Sequence, residues 1–197
     1  MMRSRKWRTL DWTMMADREI LELYRNTQTR EQGFALLVRT YSTKIYWHVR
    51  RMVTDHDDAN DVVQNCFLKA WKGLPQFKEN SKLYTWLYRI ATNEAITFIQ
   101  DTYRRNTVAV ESEEQAYMED LSSDAWFDGD ELQKQLQFAI DLLPDKQKQV
   151  FVMRYYDEMK YEEISEILET SVGALKASYH HAAKKIAAFM QERLNRA

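Results

Sequence analysis

Between residues 106 and 131 the chain has nine acidic side chains, from Glu111 to Glu131, and no Lys or Arg. The segment loses the apolar periodicity found on either side of it, and Ser122, Ser123 and Gly129 sit near its end. Such a stretch repels itself and buries little, so it reads as an extended connector between two separately packed units. The formal charge of the whole chain is −2, so the remainder carries +7 by difference. That segregation keeps nucleic acid open as a partner, although the overall charge argues against it.

Both flanks show the 3.6-residue period of helices. On the N-terminal side the apolar runs are Ile20, Leu21, Tyr24; Phe34, Leu37, Val38, Tyr41, Ile45, Val49; Ala59, Val63, Phe67, Ala70; and Leu83, Leu87, Ile90, Ala91, Phe98. They predict four helices. Polar residues Asp55 to Asp58 open the third, and Gly73 and Pro75 end it. After the connector the period resumes through Leu136, Phe138, Ile140 and Leu143, and Pro144 separates it from Val150, Phe151, Met153 and Tyr155. Only 4 Gly and 2 Pro occur in 197 residues, too little punctuation for strands and turns. The expected fold is all-α: two small helical domains at 17–105 and 132–197, a linker at 106–131, and an N-terminal arm at 1–16 expected to be disordered.

Cys66 is the only cysteine, so no intrachain disulfide can form and the chain suits a reducing compartment. No apolar run is long enough to span a bilayer, and the basic start MMRSRKWR leads into polar residues. A cytoplasmic location without membrane insertion is expected.

Three stretches carry candidate chemistry. From Tyr161 to Phe189, Ile164, Ile167 and Leu168 stripe a helix of about two turns, Glu169 to Ser171 form a turn, and Leu175, Tyr179, Ala182, Ile186 and Phe189 stripe a longer helix. This is helix-turn-helix spacing. Ser171 is placed to cap the second helix, Gly173 leaves room for close approach to a phosphate, and Lys176, His180, His181 and Lys184 supply donors on the outer face. A plain surface hairpin would share the stripes but not this combination of small residues and one-sided basic charge.

In ANDVVQNCFLKAW, Ala59 to Trp71, one stripe is core while Asp61, Gln64, Asn65 and Leu68 form another. A docking face and a solvated face with one stray leucine fit equally well. In SKLYTWLYRIATNEA, Ser81 to Ala95, Leu83, Leu87, Ile90 and Ala91 suffice for the inward stripe. Tyr84 and Tyr88 are left on a flank and Arg89 and Asn93 face elsewhere, an arrangement suited to stacking on unpaired bases. Packing of the rings against neighbouring helices is the competing expectation, strongest for Trp86.

Taken in order and split by the acidic segment, ANDVVQNCFLKAW, FKENSKLYTWLYRIATNEA, LLPDKQKQVFVMRYYDEMKYEEIS and SVGALKASYHHA resemble the extracytoplasmic-function sigma factors of bacterial RNA polymerase. The resemblance covers about Asp17 to Glu192. It implies that Asp61, Gln64, Asn65 and Leu68 dock on the clamp coiled coil of the polymerase largest subunit, with the flap as a second contact. It also implies that the loop with Phe77, Lys78, Asn80, Ser81 and Lys82 receives a flipped base of the −10 element, supported by Tyr84, Trp86, Arg89 and Asn93. The helix-turn-helix would read −35 duplex through Ser171, Gly173, Lys176, His180, His181 and Lys184. No enzymatic activity, metal or cofactor is implied, and an anti-sigma protein is a further partner of such factors. The chain departs from the pattern where similar proteins carry recognition-helix arginines and it has Lys176 and His181, so the −35 sequence does not carry over.

Two other functions compete. A conventional helix-turn-helix regulator would dimerise through its N-terminal half and bind palindromic duplex without polymerase. A metal-dependent phosphohydrolase would need ligands among His48, His56, Asp57 and Asp101, whose spacing is poor for one site.

Overall fold

A computed structural model describes residues 17–105 and 131–196. The arm at 1–16 and all of the acidic linker except Glu131 lie outside these residues. Every regular element among the described residues is helical.

The N-terminal half contains α1 (17–25), α2 (Arg30–Arg50), α3 (His56–Gly73), a short 3₁₀ turn (Leu74–Gln76) and α4 (Leu83–Arg105). The α1–α2 corner is tight because Gly33 has no side chain: a Cβ there would lie 2.6 Å from the Tyr24 nitrogen. Tyr24 then donates its hydroxyl to the Trp71 carbonyl at 3.0 Å, and both Tyr24 and Phe34 meet the Trp71 ring edge-on. At the start of α3, Asp55 caps by accepting from the Asp58 amide, and Asp57 and Asp58 add negative charge to the first turn. Leu37, Tyr41, Ile45, Val49, Ala59, Cys66, Leu87, Ala91 and Ala95 are fully buried where α2, α3 and α4 converge. The inward stripe of α3 includes Val62, with Val63 half-buried beside it.

The C-terminal half contains α5 (Glu131–Asp141), α6 (Asp145–Phe151), a π-helical turn (Val152–Tyr156), α7 (Tyr161–Leu168) and α8 (Val172–Arg196). Pro144 precedes α6, where its missing amide costs nothing. The run Val150 to Tyr155 expected as one helix instead widens into the π turn, where Asp157 donates its amide to Val152 and Met159 to Met153. This turn buries both Val152 and Met153 and brings Asp157 to the N-terminal half.

The two halves touch. α4 lies against α7, and the end of α2 lies against the π turn. Partly buried polar contacts join them: His48 Nδ1 to Asp157 at 2.7 Å, Thr54 to Asp141 at 2.6 Å, and Gln137 to the Arg51 carbonyl at 3.3 Å. Lys148, also buried, pairs with Asp141 at 2.7 Å from its own half.

Candidate nucleic-acid interface

The α3 stripe is a continuous exposed ridge. Asp61, Gln64 and Asn65 are exposed, and Leu68 is 52% exposed, one of few large apolar side chains so open among the described residues. Cys66 and Phe67 point inward beside it. Burial, reinforced by the Glu94 charge, pushes the Cys66 thiol up to about 12, so it packs as a small apolar group.

The second candidate surface joins the loop after α3 to α4. Lys78, Asn80 and Lys82 are exposed and Ser81 is half-buried. Phe77 is half-buried with its ring 5.2 Å from Trp86, and Trp86 in turn lies over Gly73, where a Cβ would stand 3.1 Å from the indole. Both rings therefore hold the loop against α4. Glu79, in left-handed backbone with φ 56°, forms an ion pair with Arg25 of α1. An open cleft of mixed charge beside the loop is lined by Phe77, Glu79, Asn80 and Lys82 and, from α1, by Asp17, Arg18, Glu22 and Arg25. The two arginines are an addition to the expected set; their only signal in the sequence is basic charge on a helix whose stripe concerned its apolar residues.

On α4 the expected flank divides. Asn93 is exposed and Tyr84 half-buried, but Tyr88 is 3% exposed, with its ring 4.8 Å from His48. Tyr84 stacks obliquely on Tyr88 at 4.5 Å. Burial, followed by the Asp157 charge, raises both hydroxyls well above the usual tyrosine range. Arg89 is half-exposed and turned to the other half of the chain. Its Nη1 pairs with Glu169 at 2.9 Å, and its Nη2 donates to the Glu166 carbonyl.

The third surface is the helix-turn-helix formed by α7 and α8. The Glu163 carboxylate accepts from the Lys160 amide at 2.9 Å at the start of α7, and Ser171 accepts from the Ala174 amide at 3.3 Å at the start of α8. Gly173 is exposed, with nothing within 4 Å of a Cβ built on it. Lys176, His180, His181 and Lys184 are all exposed on α8. Lys176 and Arg154 both lie over the Tyr161 ring, at 5.8 and 5.3 Å. The basic face is open, while Leu175, Ala182 and Ile186 anchor the helix behind it.

The hydrolase candidates do not meet. His48 is fully buried between Asp157 and Thr92, whereas His56 contacts Tyr46 and Asn60. Among the described residues no three His, Cys, Asp or Glu side chains gather as metal ligands, and no helix is long and apolar enough to cross a membrane.

An exposed ridge on α3, an aromatic and basic loop, and a helix-turn-helix are carried by two helical halves, and each half matches a family of sigma-type transcription factors. Residues 37–105 match Sigma-70 region 2, and residues 133–186 match Sigma-70, region 4. The chain is 33% identical over 175 residues to the ECF RNA polymerase sigma factor SigW of Bacillus subtilis, covering 85% of this chain and 92% of that one. It is 32% identical over 164 residues to the ECF RNA polymerase sigma-E factor of Escherichia coli K12, covering 79% and 85%. The chain belongs to the ECF sigma factors of RNA polymerase. Its fold is similar to CnrH, solved in complex with the cytosolic domain of CnrY, at TM-score 0.65 and 23% identity over 90% of this chain and 98% of that one. It is also similar to the sigma factor RpoE of Bartonella quintana, solved with the anti-sigma factor NepR, at TM-score 0.62 and 19% identity over 81% and 98%.

Proposed function

We propose that this sigma factor docks on core RNA polymerase through Asp61, Gln64, Asn65 and Leu68 and reads its promoters at two places. The observation that carries this reading is the exposed Leu68 centred on a polar ridge of α3, opposite the side chains that build the core. An apolar side chain of that size gains most by burial against a partner, and polar neighbours set orientation. The clamp coiled coil of the largest subunit is the partner assigned to this ridge, and the flap is assigned to the C-terminal half.

The loop residues Phe77, Lys78, Asn80, Ser81 and Lys82, with Tyr84, Trp86, Arg89 and Asn93, are assigned to the melted −10 strand. Within that set Phe77 and Trp86 act mainly by fixing the loop, since their rings face each other. The exposed Asn93 and the loop cations offer hydrogen bonds and charge to bases and phosphates. Ser171, Gly173, Lys176, His180, His181 and Lys184 are assigned to −35 duplex in the major groove. The chain acts by binding alone, in the cytoplasm with the polymerase, without catalysis or cofactor, and an anti-sigma protein is its regulator.

Leu68→Glu tests the docking assignment. The variant should keep the wild-type circular dichroism spectrum and lose association with core polymerase by at least about tenfold in a pull-down, the effect of truncating a central interface anchor. Undiminished association would remove the ridge as the interface.

A further inference from the structure

The residues from Lys78 to Lys82 cross from the 3₁₀ turn after α3 to α4, and both ends of the crossing are fixed. Phe77 is held by its ring against Trp86 at 5.2 Å and by its amide, which donates to the Leu74 carbonyl at 3.2 Å. Leu83, at the other end, is 2% exposed. Among the described residues Glu79 is the one side chain between these ends that forms a hydrogen bond or ion pair. Its partner is Arg25 of α1, 54 positions earlier. The backbone that carries Arg25 is itself pinned: near the start of α1 Asp17 accepts from the buried Tyr41 hydroxyl, and at its end Tyr24 donates to the Trp71 carbonyl at 3.0 Å.

Glu79 sits in left-handed backbone with φ 56°, where glycine is the residue at ease. The Arg25 and Glu79 side chains are 62% and 47% exposed, so water screens the pair. The strain of a glutamate in that backbone region is at least as large as the stabilisation an exposed ion pair returns. Stability therefore gives no reason for a glutamate at this position. What it adds is a tie between the loop and α1, in a segment that otherwise rests on its two ends and is free to shift between them.

We propose that Glu79, acting through Arg25, is a positioning residue for −10 recognition: the pair holds the Lys78–Lys82 loop at one distance from α1 and so sets which base the loop accepts. The inference rests on the assignment of this loop to a flipped −10 base. Hydrogen bonds to a base edge weaken steeply with distance and angle, so a loop that drifts tells bases apart less well. A different role for Arg25, direct contact with a DNA phosphate, would make Glu79 a competitor for it. The two roles give removal of Glu79 opposite effects.

The test uses holoenzyme assembled from the full-length protein and core polymerase, in run-off transcription from a promoter mapped the same way, with each −10 position changed in turn to the other three bases. Discrimination is the transcript yield from the preferred base divided by that from its substitute. E79G, whose backbone already suits glycine, and R25A should each lower discrimination within the −10 element by up to about fivefold, the factor an exposed ion pair can supply. The E79G/R25A double variant should lower it no further, and the charge exchange R25E/E79R should restore it. E79G should unfold at the same urea concentration as wild type or a higher one, and its dependence on the −35 element should be unchanged. Undiminished discrimination in E79G, or losses that add in the double variant, would overturn the inference. So would opposite effects of E79G and R25A, the signature of an arginine that touches phosphate itself. N80A/K82A separates the two levels: an intact −10 preference in that variant removes the loop assignment and the inference with it. An altered preference there alongside unchanged discrimination in E79G removes the inference alone.

Discussion

Cys66 lies on the same helix as the exposed ridge of Asp61, Gln64, Asn65 and Leu68, and its chemistry marks the boundary between core and surface. Its thiol is fully buried and pushed up to about 12, so at pH 8 only about one molecule in ten thousand carries the reactive thiolate. Native protein should therefore release almost no chromophore from a disulfide reagent over minutes, with one equivalent appearing in denaturant. Rapid stoichiometric reaction of the native state would mean that α3 is not seated as described. Tyr88 shows the same division on α4. It stands next to Arg89 in a stretch whose rings looked available to DNA, yet it packs on His48 and is closed to solvent.

Individual helices depend on a few close approaches. Gly33 lets α1 and α2 meet, and a Cβ there would be 2.6 Å from one backbone atom and 3.0 Å from another, neither free to move as a side-chain tip would be. Gly33→Ala should cost about 1–3 kcal/mol by overpacking, read from urea unfolding; an unchanged midpoint would contradict the tight corner. Gly173 is the opposite case. Nothing in the protein fills the space beside it, so the fold does not require glycine there. Gly173→Ala should leave α8 as stable or more stable by about 0.5–1 kcal/mol while weakening −35 duplex binding several-fold. Retained duplex affinity would show that no backbone approach occurs at that position.

Helix limits were readable at this scale because they rest on local chemistry: Asp55 caps α3, Pro144 precedes α6, and Ser171 opens α8. The π turn was not, since Val152 to Tyr156 has the apolar pattern of an ordinary helix and its wider hydrogen bonding is decided by packing. Lys148 likewise reads as a surface lysine, and only the fold brings Asp141 to its buried amine.

Across the whole molecule the two domains and the candidate faces follow from periodicity and charge, but their mutual contact does not. His48 and Asp157 are 109 residues apart, and Arg89 and Glu166 are 77 apart, with no short-range pattern linking either pair. That separation explains why Arg89, Glu166 and Glu169 come together only in three dimensions. The surfaces proposed for −10 and −35 DNA lie on opposite halves of the chain, so they should be independently alterable. The most direct measurement is run-off transcription by sigma-free core polymerase from the source bacterium on a pool of its genomic fragments, with wild type, Asn93→Ala and Lys176→Ala compared and transcript starts mapped. Wild type should give discrete starts sharing two spaced upstream elements; Asn93→Ala should alter tolerance to base changes only in the −10 element, and Lys176→Ala should weaken dependence on the −35 element alone. Core-dependent starts that lack a shared pair of elements, or two substitutions with the same effect on both, would contradict it.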